Sequence, residues 1–422
     1  MKSPVCLTTV LCCVLASSGC RKLPPVTPGP PSGPSSGLQG INYTFAAVTT
    51  DPEKQDISYR FSWGDSEMSQ WTDYVSSGES VSLTHAWTEP GQYDVRVEAR
   101  DGALMTSPLS DPHAITIVAR TIYPDSVLAT IPVGRDPHGI TCLPGGQLVY
   151  VGDGTADLVF VLNTATNTVV DSVTCGDTPW SVASSPDGRY VYAVNLVSAD
   201  VSVIRTSDNT VIATAEVGQS PHGVVALPNG RYVYVANIDV NSVSVIRTSD
   251  FSVVATISVG EQPRGICCLP DGSRVYTADA DGPSVSVIQT SDNTVIATIP
   301  VSGYPHRVTA SADGRYVYAS QAHSNSVAAI RVADNTVVGS IPVGSGPCGS
   351  CWLPGGSYVY VSNPDDGTVT VIRTTDNTVA ATIAVGGAAR TVAADPTGER
   401  LYTANGPDGS VSVVGFGSPS RR

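Results

Sequence analysis

A tyrosine returns every 42 residues through the last two thirds of the chain, at Tyr150, Tyr192, Tyr234, Tyr276, Tyr318, Tyr360 and Tyr402. The flanking residues repeat with it. In the second copy SVASSP, RYVYAVN, DVSVIRT and NTVIATAEVG read as four short strands in succession, alternating or apolar, with turn residues between them. A strand-rich unit recurring at a period of about 40 to 50 residues is a propeller blade. Seven copies therefore predict an all-β chain with a seven-bladed β-propeller over residues 120–416. The last copy stops after three strands, at Phe416, and the missing fourth has its counterpart at the other end as Ser126–Gly134. That stretch is expected to complete the final blade and remove the exposed edges of an open ring.

The turns have physical reasons. Pro186-Asp187-Gly188 closes the first hairpin, and its glycine recurs as Gly146, Gly230, Gly272, Gly314, Gly356 and Gly398. Glycine supplies the positive φ such a turn needs. Asp208-Asn209 closes the last hairpin with residues that tolerate left-handed geometry. At the end of each second strand stands Asp153, Asn195, Asn237, Asp279, Gln321, Asn363 or Asn405. A short polar group there is expected to bond the backbone of the following loop. The repeat, with Tyr234-Val235-Ala236-Asn237, resembles the YVTN family of seven-bladed propellers, related to surface-layer and YncE-like proteins, over nearly the whole of the repeat region.

Ahead of the repeats, Lys2 and the apolar stretch Pro4–Ala16 read as a signal peptide over residues 1–19. Ser17-Ser18-Gly19-Cys20 resembles the bacterial lipobox, which implies lipidation of Cys20; ordinary cleavage near Ser18 is the alternative. Residues 20–37 are rich in Pro, Gly and Ser and read as an unpacked linker. Residues 38–119 alternate with period two, as an antiparallel sandwich does. Trp63-Gly64-Asp65, His85-Ala86-Trp87 and Gly91-Gln92-Tyr93-Asp94-Val95 resemble PKD-type immunoglobulin-like modules, implying a spacer or adhesion role. Trp63 is expected in the core and Asp65 at a turn. Residues 417–422 form a tail.

The net charge is −14, and every lysine precedes Arg120. An acidic surface repels phosphate backbones, so no nucleic-acid partner is expected. Four of the ten cysteines lie in the first twenty residues. The remaining six, Cys142, Cys175, Cys267, Cys268, Cys348 and Cys351, are expected as buried small hydrophobes on inner strands. Cys348-Gly349-Ser350-Cys351 also permits a local disulfide.

Columns that differ between blades indicate what the scaffold displays. One begins the inner strand: His138, Trp180, His222, Arg264, His306, Cys348 and Arg390, with Asp136 and Arg307 beside it. It is expected to ring one mouth of the channel, where His, Trp and Arg suit an anionic or sugar-like ligand. His138, His222 and His306 stand in alternate blades, which invites a metal, but ligating nitrogens must lie about 2 Å from the ion and no metal is expected across the channel. No catalytic motif, P-loop, zinc helix or dinucleotide fingerprint is present, and no cofactor is expected. These features predict a non-enzymatic cell-envelope protein, anchored by lipid or secreted. Its propeller would bind a protein or glycan at the cell surface. A lactonase-like hydrolase or lyase using the channel mouth, and a structural surface-layer component, are the alternatives.

Overall fold

The computed structural model describes residues 22–118, 123–354 and 357–416. The export segment, Cys20 and the tail lie outside these. The chain divides into two compact units, one up to Arg120 and one from Thr121.

In the N-terminal unit, β1 (Ser36–Leu38), β6 (His113–Val118), β5 (Gly91–Asp101) and β3 (Ile57–Ser62) form one sheet in that order. β2 (Tyr43–Ala47) and β4 (Val81–His85) form a second. Alternate residues of β5 and β6 are buried, the signature of one solvated face. Trp63 is in the core as expected, stacked on Phe61 at 5.2 Å, and its carbonyl accepts the indole N–H of Trp87 at 3.1 Å. Asp65 Oδ1 accepts the Glu67 amide, holding the turn.

The Pro/Gly/Ser stretch departs from the expected free linker. Pro25, Pro28 and Pro31 are buried, every third residue, while their neighbours are mostly exposed. Three residues per turn is the period of polyproline II, so one face of the ridge lies on the unit. The Val26 amide donates to the Thr50 carbonyl at 2.9 Å, and Ser32 bridges Ala46. Gly33 crosses the Phe45 ring so closely that a Cβ would sit 2.3 Å from it. Prolines have little backbone entropy to lose, so a proline ridge can pack without regular secondary structure.

The second unit is the propeller: seven four-stranded antiparallel sheets. The second blade is typical, with β12 (Pro179–Ser184), β13 (Tyr190–Asn195), β14 (Asp200–Arg205) and β15 (Thr210–Glu216) from inside outward. The last blade is β32 (Ala389–Ala394), β33 (Arg400–Asn405) and β34 (Ser410–Gly415), completed by β7 (Ser126–Pro132) from the other end of the ring. β7 pairs with the bulge at Val413/Val414 that β15 meets at Val203/Ile204, so it copies a fourth strand in register as well as position. The six described turn glycines of the first hairpins have φ between 68° and 76°.

The seven tyrosines are the wedges between blades, each no more than 1 % exposed. Tyr150, Tyr234 and Tyr318 donate at 2.6 Å to the side chains of Asn209, Asn293 and Asn377, which sit in the outer turn of the following blade at φ 54° to 58°. The Asn/Asp column is equally buried, but its partners differ from the expected loop backbone. Asn237 and Asn363 donate to hydroxyls five and seven residues on, in the third strand of their own blade. In this column Asp153 accepts from the loop amides of Arg135, Asp136, Thr155 and Ala156, and Gln321 donates to the Ser302 carbonyl. A third strand that begins with alternate Ser or Thr offers a nearer donor-acceptor pair than the loop does.

Candidate functional site

Five inner strands open on the proline before the column residue, the last opens on Ala389 before Arg390, and in the sixth blade Cys348 lies two residues ahead of the strand; the column gathers at one end of the channel. The inner strands of the first, third, fourth, fifth and sixth blades are β8 (Pro137–Cys142), β16 (Pro221–Ala226), β20 (Pro263–Cys268), β24 (Pro305–Ala310) and β28 (Ser350–Trp352). Gly139, Gly223 and Gly349 make the ring this tight, because a Cβ on any of them would come within 2.6 Å of the next strand's backbone.

The structure brings the column together, but not as a ring of solvated side chains. Asp136 Oδ2 accepts from His138 Nε2 at 3.0 Å. His138 stacks on Trp180 with ring centres 3.5 Å apart. The Trp180 indole N–H donates to His222 Nε2 at 2.7 Å, so the proton of His222 is on Nδ1, facing the Arg264 carbonyl at 3.3 Å. His222 meets His306 edge to face at 5.7 Å, and His306 Nδ1 lies 3.2 Å from Cys348 Sγ. Arg390 returns to Asp136 Oδ1 at 3.5 Å, passing over Gly406, where a Cβ would collide with its Nε. The expected ring is therefore a plug of side chains packed on one another, with Trp180, Arg264, His306, Cys348 and Arg390 still partly exposed. His138 and His222 are only 4 % and 2 % exposed, because the aromatic rings gain more from stacking on one another than from lining a wet hole.

Electrostatics follow from that packing. Burial holds His306 neutral, with its pKa lowered to about 3, and Arg307, Arg264 and Arg390 push the same way. Burial and Arg390 lower His138 to about 4 against the opposing pull of Asp136. His222 is likewise well below its ordinary value. The Cys348 thiol is raised by burial, although the same three arginines favour its anion. Three guanidiniums thus share a neighbourhood whose paired carboxylate is Asp136. Arg264 Nε and Arg307 Nε are buried and meet no acceptor. The Arg264 guanidinium also lies over Tyr304 at 5.2 Å, and Tyr304 stacks on His323.

The channel holds a cavity of about 410 Å³ among the inner strands, and Arg307 lines it. Cys142, Cys267, Cys268 and Cys351 also line it, and all are free thiols, as is Cys348. Cys175 departs from the inner-strand expectation and follows the outer strand of the first blade. The local disulfide that the Cys348–Cys351 spacing permits is not formed. Tyr304 and Ser350 were not singled out from the sequence. Ser350 carried a signal, since it interrupts a column of Val and Ile at 42-residue spacing. Among the described residues, the three-member set with metal-ligand separations is Asp65, Glu67 and His85, in the N-terminal unit. There His85 Nε2 is already bonded to Asp65 at 2.6 Å and the ring is stacked on Trp63.

Residues 132–299 match the family described as "Lactonase, 7-bladed beta-propeller". No curated protein matches the chain. Among solved structures, Kuenenia stuttgartiensis hydrazine synthase is similar, with a TM-score of 0.61 and 22 % identity over 70 % of this chain and 98 % of that one. At such identity the likeness is one of fold.

Proposed function

We propose that this chain is an exported cell-envelope protein whose propeller binds a small anionic ligand at the plugged end of its channel. The carrying observation is the charge arrangement: Arg264, Arg307 and Arg390 gathered near one carboxylate, with two buried guanidinium N–H groups unpaired. A buried N–H donor without a partner is costly, and an anion that accepts from it offsets that cost. The same geometry narrows the expected protein or glycan ligand. One face of Trp180 is covered by His138, and Tyr304 lies between Arg264 and His323, so a sugar ring finds these platforms occupied. Binding without chemistry fits the protonation states. Imidazoles with pKa values of about 3 and 4 are weak bases at neutral pH, and a thiol held protonated is a weak nucleophile.

The signal-like start and Cys20 support an anchored, exposed location, with the PKD-like segment as spacer and a YVTN-type propeller as the display. Cys20→Ala is expected to release the protein from membranes. Native mass spectrometry of the purified protein, with elemental analysis of the same sample, tests the binding reading. A bound small anion supports it; an empty propeller that ignores added phosphate and carboxylates overturns it. The lactonase-type match over residues 132–299 favours a second reading, a hydrolase using the mouth. That reading requires lactone hydrolysis that disappears in folded Arg264→Ala and His306→Ala proteins.

A further inference from the structure

Two inner-strand positions break their own repeat columns, and they fall on neighbouring strands, β24 and β28. Where Arg307 stands, the other six blades carry Gly139, Ser181, Gly223, Gly265, Gly349 and Thr391. Where Ser350 stands, the other six carry Ile140, Val182, Val224, Ile266, Val308 and Val392, which form an apolar collar. Arg307, Ser350 and all six collar residues line the same cavity of about 410 Å³. Arg307 Nε and Ser350 Oγ are both buried without a hydrogen-bond partner. A blade needs neither residue to fold, since its sisters manage with glycine and valine. Each leaves a polar group unsatisfied, which works against stability.

We propose that this cavity takes a short aliphatic monocarboxylate, its carboxylate shared by Arg307 Nε–H and Ser350 Oγ–H and its hydrocarbon body against the Ile/Val collar. A carboxylate presents two oxygens, each accepting one of these donors, and a charge-assisted bond to arginine is the stronger of the two. The collar gives the body the apolar contact that an inorganic anion would waste. The inference rests on the anion-binding reading above and narrows its ligand class.

The test is calorimetric titration of the full chain with hexanoate, hexan-1-ol and inorganic phosphate, repeated on Arg307→Gly and Ser350→Val. Both substitutions restore the residue that sister blades carry, so folding is retained, and melting curves verify it. Hexanoate is expected to bind, hexan-1-ol and phosphate to bind at least about tenfold more weakly, and each substitution to weaken hexanoate by about tenfold or more. Phosphate binding as tightly as hexanoate would overturn the aliphatic class while leaving the anion-binding reading standing. No binding of either anion would overturn both. Hexanoate binding unchanged in both variants would place its carboxylate elsewhere and overturn the assignment of these two residues.

Discussion

Asn237 shows how finely a repeated residue is tuned by its neighbours. Its Nδ2 is satisfied by Ser242 and Ser244, but its Oδ1 is buried with no donor. In the last blade the equivalent oxygen of Asn405 accepts from Thr403 at 3.0 Å, and in the fourth Asp279 accepts from Thr277 at 2.7 Å. Residue 235 is the matching position and is valine. Val235→Thr is therefore expected to stabilise the protein by about 1 kcal/mol, because the added hydroxyl meets a waiting acceptor. Val233→Thr, equally buried, has no such acceptor and should destabilise. Denaturant titration of both checks this, and a loss in both would show that the amide oxygen is not worth satisfying. The plug histidines make a second prediction. Their folded pKa values lie below the ordinary 6.5, at about 4 for His138 and about 3 for His306, so the unfolded chain binds their protons first. Stability is full above pH 6.5 and is lost as pH falls from there towards 4. The melting temperature should drop across that window, and His138→Gln combined with His306→Gln should flatten the slope; an identical slope would place the titrating groups elsewhere. The column of mouth residues was legible in the sequence from spacing alone. Their mutual stacking was not, because which way Trp180 turns depends on the ring in the next blade, 42 residues away.

At the scale of the element, three blade junctions share one device, a wedge tyrosine bonded to an outer-turn asparagine, while the hydroxyls of Tyr276, Tyr360 and Tyr402 are buried without a partner. Tyr192 is buried like the other wedge tyrosines, but the residue 59 positions on, where Tyr150, Tyr234 and Tyr318 find asparagine, is Phe251. Phe251 also has φ 57°, in the left-handed region that asparagine tolerates and phenylalanine does not. Phe251→Asn should relieve that backbone strain and supply an acceptor for the Tyr192 hydroxyl. It forfeits the edge contact with Tyr190 at 5.6 Å. The first two effects together reach about 2 kcal/mol and the third about 1. A rise in melting temperature is expected, and a fall would mean that the Tyr190 contact dominates. Strands and turns were readable because their causes are local: period-two alternation, a turn glycine, a left-handed asparagine. The proline ridge before β1 was not. Its composition is that of a free linker, and only the spacing of Pro25, Pro28 and Pro31 hints at a buried face, a hint without force until Gly33 and Phe45 are seen in contact.

The propeller is held shut by one strand, and the two ends of its sequence meet there. β7 pairs with β34 from Ser126↔Gly415 to Pro132↔Ser410, and the β7 segment buries Ile131 and Val133 in a cluster with Val149, Val151, Tyr402 and Val411. That cluster joins the last blade to the first, so β7 supports the seam of the ring as well as the edge of a sheet. A chain beginning at Gly134 lacks β7; one beginning at Tyr123 lacks the N-terminal unit but keeps β7. Since the unit from Thr121 onward is compact by itself, the longer chain should melt as the propeller of the full protein does. The shorter chain should melt at a much lower temperature. It loses the ladder along β34 and two buried side chains, each contributing about 1.5 to 3 kcal/mol. It also exposes an unpaired strand edge that invites association with other copies. A synthetic peptide of residues 123–133 added to the shorter chain should restore the transition, because the register of β7 is set by pairing and packing and not by the covalent link to β8. Equal melting of the two chains would overturn this account of closure. Recovery of stability by the peptide would show that a covalently open ring is closed by strand pairing alone.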